Sequence, residues 1–311
     1  METPSVGERA LPELSLIIPA YNEEDNVGPL YEAIMAHVPG LGRPFEVVFV
    51  DDGSRDRTFE RLAGLAAADG RIRVIKLRRN YGQTPAIVAG IDHARGEVLV
   101  TLDADLQNDP IDVGRLLDKL AEGHDLVVGW RENRQDKWLT RKLPSTLANR
   151  LIAWVTGVQV RDNGCTLKAF RGELIRSVPL YGEMHRFIPA MTSIAGSRLA
   201  EIPVKHHPRR LGQSKYGLSR IYKVCLDLIA IRSLLLFAAR PLFCFLGSAA
   251  AAGVLCLLGL VWTFDLVTAA DGDAIVPMGL TLLFGSLALF FVVAGLVVSL
   301  AYRTFLEPAE A

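Results

Sequence analysis

Short apolar runs alternate with longer stretches that mix apolar and polar residues through the first two thirds of the chain. Strands buried on both faces of a parallel sheet read as continuous apolar runs, and the helices that cover them are amphipathic. The pattern therefore predicts an α/β domain with a mostly parallel sheet between helices. The predicted strands cover 14–19, 45–50, 72–77, 97–102 and 126–130, and the predicted helices include one that ends at Ala68 and one over 84–94.

Two longer apolar stretches lie near the C-terminus, at 241–264 and 274–302, and neither contains a charged residue. A transmembrane helix needs about 20 apolar residues, so each stretch is long enough to cross a bilayer. A pair of buried core helices is the alternative. The piece between them, 265–273, carries aspartates and no Lys or Arg, whereas Arg240 precedes the first stretch and Arg303 follows the second. Basic flanks mark the cytoplasmic side, so both termini are predicted to be cytoplasmic.

The segment 219–238 places charged residues at helical spacing among apolar neighbours. This pattern is typical of a helix that lies in the membrane interface, and an ordinary amphipathic domain helix is the alternative. We therefore predict a catalytic domain over 1–218, an interfacial helix region over 219–240 and a two-helix membrane anchor over 241–311.

Charge and motif content exclude several classes of protein. The formal net charge is zero, without the concentrated basic surface of a nucleic-acid-binding protein. The four cysteines form no CxxC pair, which is typical of a reduced, cytosol-facing protein. The sequence has no GxGxxG, GxxxxGK[ST], HExxH or GxSxG motif, so it lacks the signatures of dehydrogenases, P-loop NTPases, zinc proteases and serine hydrolases.

Polar clusters follow the predicted strands, where ligands of open α/β sheets bind. After the fourth strand, Asp103, Asp105 and Gln107 offer the hard oxygen ligands that Mg²⁺ or Mn²⁺ prefers, although turns and helix caps are also rich in Asp. Asp52 follows the second strand and could accept hydrogen bonds from a base or ribose, or belong to a plain loop. Tyr21 follows the first strand and could pack on a base or fill a gap beside the sheet.

Eight segments in this order together resemble glycosyltransferase family 2, which has the GT-A nucleotide-diphospho-sugar transferase fold. The last four segments and the two apolar stretches resemble its polyprenyl-phosphate branch, which includes dolichol-phosphate mannose synthases and undecaprenyl-phosphate glycosyltransferases. The segments are IIPAYNEE (17–24), VDDGSRD (50–56), RNYGQ (79–83), DADLQNDP (103–110), NRQDKW (133–138), DNGCTLKAF (162–170), HRFIP (185–189) and RRLGQSKYG (209–217).

The resemblance implies a role for each matching residue. Asp103, Asp105 and Gln107 would hold Mg²⁺ or Mn²⁺, and Asp105, Asp162 and Arg131 would form the catalytic set. The nucleotide-sugar would contact Pro19, Tyr21, Glu23, Asp52 and Asp103. The phosphates of donor and acceptor would contact Arg131, Arg141, Ser145, His185, Arg186, Arg209, Ser214 and Lys215.

The implied function is inverting transfer of one sugar from a UDP- or GDP-linked donor to undecaprenyl or dolichyl phosphate, at the cytoplasmic face of the inner membrane. The resemblance also implies a homo-oligomer, a tetramer. A processive polysaccharide synthase of the same fold is one alternative, but those enzymes usually show a QxxRW motif and more spans. A non-catalytic sugar-nucleotide-binding membrane protein is the other.

Overall fold

The computed structural model describes residues 11–131, 150–208, 233, 241–269 and 274–306, apart from the single positions 151, 155, 183 and 195. The chain divides into two compact units, Met1–Leu228 and Ile229–Ala311. The predicted interfacial region, 219–240, lies outside the described residues except for position 233. The boundaries of the three predicted domains stay predictions.

The first unit is built on a seven-stranded sheet of order β3-β2-β1-β4-β6-β5-β7. Only β6 is antiparallel to its neighbours among the described strands, so the predicted mostly parallel α/β sheet is confirmed. The strands are β1 Leu14–Ala20, β2 Phe45–Asp51, β3 Ile72–Lys76, β4 Val98–Thr101, β5 Leu126–Arg131, β6 Lys168–Arg171 and β7 Leu199–Val204.

Strands β6 and β7 were not predicted from the sequence. Strand β6 has four residues, two of which are the basic residues Lys168 and Arg171, so it shows no apolar run. Strand β7 lies at the edge of the sheet, and its residues alternate between buried and half-buried positions. Half-buried edge strands give a weaker apolar signal than strands covered on both faces.

Helices cover both faces of the sheet because successive residues of a strand point to opposite sides. Leu16 and Ile18 of β1 belong to a core with α1, α2 and α4, whereas Ile17 belongs to a core with α3, α5 and α6. The helices are α1 Glu24–His37, α2 Thr58–Ala68, α3 Gln83–His93, α4 Asp112–Ala121, α5 Gly172–Ser177 and α6 Ile188–Ile194, with short 3₁₀ turns at Pro39–Leu41 and Met184–Arg186.

The carboxyl ends of β1, β2 and β4 meet at one edge of the sheet. Ala20 at the end of β1 pairs with Asp51 at the end of β2. Thr101 at the end of β4 pairs with Ile17 of β1. The loops that follow these strands carry the three polar clusters seen in the sequence, so the parallel register gathers them along a single edge.

Among its described residues, the second unit has two long helices, α7 Pro241–Ala269 and α8 Ile275–Leu306. Both are long and apolar enough to cross a membrane, over Leu242–Ala269 and Ile275–Ala301. Only 17% and 6% of their most apolar windows are buried, whereas a core helix would be mostly buried. The helices pack closely through small residues: a Cβ on Gly295 would lie 2.7 Å from the Cβ of Phe245.

The predicted loop between the two spans is shorter than expected. We expected 265–273 to connect them, but α7 continues through Asp265 to Ala269. The hydroxyl of Thr268 donates to the Phe264 carbonyl at 3.0 Å, which is a helical contact with the preceding turn. Neither Gly nor Pro occurs between Asp265 and Ala269, so the sequence offers no reason for the helix to stop at the first aspartate.

Candidate active site

An open cavity of about 220 Å³ lies at the edge of the sheet where β1, β2 and β4 end. All five residues predicted on the nucleotide-sugar side line it, and so does Asp105. Residues from the ends of three strands and from the start of α3 thus converge on one opening. The full lining is Pro19, Ala20, Tyr21, Glu23, Asp52, Asn80, Gly82, Gln83, Ala86, Asp103, Ala104 and Asp105.

Asp52 holds the loop before α3 in place. Its two carboxylate oxygens accept hydrogen bonds from the backbone N–H groups of Tyr81, at 2.7 Å, and Gly82, at 2.9 Å. Burial raises the pKa of Asp52, and these two N–H groups act in the opposite direction. The Asp52 carboxylate therefore already binds the backbone of the loop before α3. A hydrogen bond from a nucleoside would use its remaining lone pairs.

Gly53 allows this loop to approach closely. Its φ is +67°, and a Cβ at this position would lie 2.4 Å from the carbonyl carbon of Arg79. Only glycine adopts such a backbone conformation at that distance without displacing the neighbouring chain. The predicted VDDGSRD and RNYGQ segments are therefore packed backbone to backbone.

The loops after β1 and β2 are hydrogen-bonded to each other. Asn22, at φ +52°, accepts a hydrogen bond from the N–H of Arg55 at 2.8 Å. The N–H of Glu23 donates to the Thr58 hydroxyl at 2.8 Å, and the Asn26 amide donates to the Glu23 carboxylate at 2.6 Å. These bonds fix the backbone beside Tyr21 and the direction of the Glu23 carboxylate.

Asp103 and Asp105 stand at the other side of the cavity. Asp103 accepts hydrogen bonds from the Gln83 amide at 2.8 Å and the Thr166 hydroxyl at 2.7 Å. Asp105 accepts one from the N–H of Gln107 at 3.1 Å, across Leu106, whose φ is +60°. Both Asp103 and Asp105 line the cavity.

The charge around Asp103 is suited to a cation. Burial, and then the negative charge of Asp105, raise the pKa of Asp103 above its ordinary value. A divalent cation would relieve this repulsion between neighbouring carboxylates. No three His, Cys, Asp or Glu side chains converge on a metal position within the described part of the chain. The residues therefore fit Mg²⁺ or Mn²⁺ that takes its other ligands from substrate phosphates and water.

Arg131 and Asp162 form a buried ion pair. The guanidinium Nε and Nη2 donate to the two carboxylate oxygens at 2.6 and 2.8 Å, and the side chains are 15% and 6% exposed. Although burial opposes its charge, the hydrogen bond and charge of Asp162 raise the pKa of Arg131. Arg131 is thus a permanent cation. Both carboxylate oxygens of Asp162 are engaged by it. The predicted catalytic roles of both residues stay predictions.

A second buried cation, Lys168, lies near this pair. Its ammonium donates to the Cys165 carbonyl, and the residue is 2% exposed. Burial lowers its pKa, while the charges of Asp162 and Asp103 act in the opposite direction. Lys168 and Thr166 belong to the segment DNGCTLKAF but were not predicted as site residues. The position of a lysine between the apolar residues Leu167 and Ala169 was the signal that could have identified Lys168.

His185 is held by the first turn of α3. The Thr84 hydroxyl lies 2.7 Å from Nδ1 of His185, and both residues are buried. Arg186 follows it in the same 3₁₀ turn and is partly buried. The predicted acceptor contacts of both residues stay predictions. Gln83 and Thr84 were not predicted as site residues, although the RNYGQ segment ends at Gln83.

The loop after β4 is bonded to the chain that follows β7. The N–H of His207 donates to the Gln107 carbonyl at 2.8 Å, and its ring lies 3.1 Å from the Asp109 carboxylate. The N–H of Lys205 donates to Asp112 at 2.6 Å. The predicted phosphate-binding residues that follow, Arg209, Ser214 and Lys215, lie outside the described residues, as do Arg141 and Ser145.

Comparisons with known proteins identify the family of this chain. The family described as glycosyl transferase family 2 matches residues 15–179. Dodecaprenyl-phosphate galacturonate synthase of Rhizobium johnstonii is 41% identical over 301 residues, which cover 94% of this chain and 88% of that protein. Undecaprenyl-phosphate 4-deoxy-4-formamido-L-arabinose transferase of Edwardsiella ictaluri is 42% identical over 217 residues, which cover 70% of this chain and 66% of that protein.

A solved structure shares the fold. Glucosyl-3-phosphoglycerate synthase of Mycobacterium tuberculosis, in complex with Mn²⁺, uridine diphosphate and phosphoglyceric acid, superposes with a TM-score of 0.53 at 23% identity. The match covers 72% of this chain and 78% of that one. The fold is therefore of the predicted GT-A type. The family model matches more than half of this chain, and a relative from the polyprenyl-phosphate branch matches nearly all of it. The chain therefore belongs to glycosyltransferase family 2, in the polyprenyl-phosphate branch.

Proposed function

We propose that this enzyme transfers a single sugar from a UDP- or GDP-linked donor to a polyprenyl phosphate. The observation that carries the proposal is the single cavity in which Pro19, Tyr21, Glu23, Asp52 and Asp103 meet Asp105. Two relatives are named for sugars carried on dodecaprenyl or undecaprenyl phosphate. An enzyme with this cavity and these relatives is best explained as a lipid-phosphate glycosyltransferase.

The proposed step is a direct displacement at the anomeric carbon. An oxygen of the lipid phosphate forms the new bond to that carbon, and the bond to the nucleoside diphosphate breaks with its electron pair. The configuration inverts. A phosphate monoester has its second pKa near about 6, so the acceptor is mostly dianionic at neutral pH and needs no strong base. This agrees with an Asp162 that pairs with Arg131.

Arg131 is suited to the phosphates in this step. Its charge is permanent, and Asp162 fixes the direction of its guanidinium. An Arg guanidinium binds phosphate oxygens through several N–H donors. We propose that Arg131 contacts a phosphate group together with the predicted set Arg141, Ser145, His185, Arg186, Arg209, Ser214 and Lys215.

We propose that Asp103, Asp105 and Gln107 hold Mg²⁺ or Mn²⁺ when the donor is bound. The ion would supply charge neutralisation on the departing diphosphate. Addition of EDTA should abolish transfer, and Mg²⁺ or Mn²⁺ should restore it. Asp105→Asn should reduce metal-dependent nucleotide affinity, measured by calorimetry, by more than about 100-fold.

The matched control for this metal prediction is Asp118→Asn, because Asp118 is an exposed carboxylate on α4. It should bind nucleotide with the affinity of the wild type. Full turnover of Asp105→Asn in the presence of chelator would contradict the metal site.

The acceptor and donor are tested together on the full chain, purified in detergent. Undecaprenyl phosphate is incubated with radiolabelled UDP-galacturonate, UDP-glucose and GDP-mannose in turn, and the lipid fraction is separated by thin-layer chromatography. We expect a product with one sugar per lipid that is sensitive to mild acid. A ladder of longer, acid-stable products would instead indicate a processive synthase, and no lipid product from any donor would contradict the proposal.

A further inference from the structure

The first two residues of α3 reach two different parts of the site. The Gln83 amide donates to Asp103 at 2.8 Å, and the Thr84 hydroxyl contacts the ring of His185 at 2.7 Å. His185 lies 101 positions further along the chain, and Thr84 and His185 are only 1% and 6% exposed. One helical turn thus touches a predicted donor-side carboxylate and a predicted acceptor-side imidazole.

The hydrogen bonds around Thr84 indicate which ring nitrogen of His185 carries the proton. The backbone N–H of His185 can only donate, and it lies 3.5 Å from the Thr84 hydroxyl oxygen. The hydroxyl proton needs an acceptor, because a buried donor without one costs free energy. Among the described residues, Nδ1 of His185 is the acceptor within reach of that proton. This arrangement favours the tautomer in which Nδ1 accepts the hydrogen bond from Thr84 and Nε2 carries the ring proton.

We propose that Gln83 and Thr84 are positioning residues with separate tasks: Gln83 orients Asp103 on the donor side, and Thr84 fixes His185 as the Nε2–H tautomer on the acceptor side. The first part follows from the amide donor on Asp103, and the second from the hydroxyl donor on Nδ1. An Nε2–H group is a hydrogen-bond donor, which suits a phosphate oxygen that can only accept. The proposal rests on the function proposed above.

The two tasks predict that the two variants affect different binding constants. Thr84→Val removes the hydroxyl at nearly constant shape, so it should raise the KM for undecaprenyl phosphate about tenfold and leave nucleotide affinity unchanged. Thr84→Ser keeps the hydroxyl and should restore the wild-type KM. Gln83→Leu should weaken Mg²⁺-dependent nucleotide binding about tenfold and leave the KM for the acceptor unchanged.

Asp92→Asn is the matched control, because Asp92 is exposed near the far end of the same helix. It should change neither constant. If each of the two variants, Thr84→Val and Gln83→Leu, weakened nucleotide binding and raised the KM for the acceptor to the same degree, the two residues would have a general packing role. This result would overturn the proposal.

A spectroscopic measurement tests the tautomer without reference to activity. The chain contains six histidines, so ¹⁵N-histidine NMR of the full protein in detergent gives few ring signals, and His185→Gln assigns those of His185. We expect a protonated Nε2 and an unprotonated Nδ1 in the wild type and in Thr84→Ser, and a mixture of tautomers in Thr84→Val. A protonated Nδ1 in the wild type would overturn the proposal that Thr84 fixes the tautomer of His185. This conclusion would hold for any substrate of the enzyme. Absence of lipid product with the expected tautomer would count against the proposed function alone.

Discussion

The role of the Asp162 carboxylate depends on its partner in the structure, Arg131. The family resemblance places this carboxylate near the reaction centre, where it could orient the acceptor phosphate or sugar. In the structure, both of its oxygens accept hydrogen bonds from Arg131, from which it is separated by 31 positions in the chain. Its principal effect is therefore to hold a buried cation in one direction and to balance its charge.

Removal of the Asp162 charge should be costly. Asp162→Asn leaves the Arg131 guanidinium buried without a counter-charge, which should destabilise the fold by about 3 kcal/mol. Thermal unfolding of the full chain measures this effect. The double variant Arg131→Met, Asp162→Leu removes both charges and should regain part of the stability.

The double variant separates stability from function. It should still be inactive, because it lacks the guanidinium that we propose contacts phosphate. An Asp162→Asn variant as stable as the wild type would contradict the buried-pair interpretation, and an active double variant would contradict the role of Arg131.

At the scale of elements, the cavity depends on how two loops are held together. Asp52 binds the N–H groups of Tyr81 and Gly82, and Gly53 packs against the backbone of Arg79. The chain entering α3 is therefore fixed to the end of β2. The loop after β4 is fixed in a similar way to the segment that follows β7, through the contacts of His207 with Gln107 and Asp109.

Gly53→Ala should disrupt this arrangement. The added Cβ meets the backbone of Arg79, and φ is +67°, so we expect a loss of at least about 2 kcal/mol in unfolding free energy. Displacement of the Arg79 loop should also lower nucleotide affinity about tenfold or more, measured by calorimetry.

Gly64→Ala provides the control for Gly53→Ala. Gly64 lies within α2, and a Cβ there meets no atom within 4 Å. Alanine is a better helix former than glycine, so this variant should be slightly more stable than the wild type and bind nucleotide equally well. Equal behaviour of the two alanine variants would show that the close approach at Gly53 is unimportant.

At the scale of the whole molecule, a polar catalytic unit is followed by two helices suited to a membrane. We propose that these helices anchor the enzyme in the cytoplasmic membrane with the catalytic unit in the cytoplasm. An anchor of this kind would keep the active site near the headgroups, where a polyprenyl phosphate presents its charge. Arg240 precedes α7 and Arg303 lies near the end of α8, and basic residues at these two ends favour the proposed orientation.

Cysteine labelling tests the orientation. In a cysteine-free background, Ala269→Cys at the end of α7 should react with an impermeant thiol reagent added to intact cells. Ser5→Cys should react only after the cells are opened, because the N-terminus is predicted to be cytoplasmic. Labelling of position 5 in intact cells, without labelling of position 269, would reverse the proposed topology.

The sequence by itself determined the parts that depend on local pattern. Continuous apolar runs predicted β1 to β5 to within two residues at each end, and charge-free stretches predicted α7 and α8. The strand-end position of Asp52, Asp103 and the segment from Pro19 to Glu23 predicted that they would share an edge. This follows from geometry alone, since parallel strands place their carboxyl ends together.

Only the tertiary structure decided which side chains form hydrogen bonds and ion pairs with one another. It inserted the antiparallel β6 between β4 and β5, and so brought Thr166 and Lys168 behind Asp103. It also paired Arg131 with Asp162 and Thr84 with His185. Such contacts join residues far apart in the chain and depend on the packing of whole elements, which no local periodicity encodes. Strand β6 has a basic residue at each end and β7 is a half-buried edge strand, so neither shows the continuous apolar run from which strands are predicted.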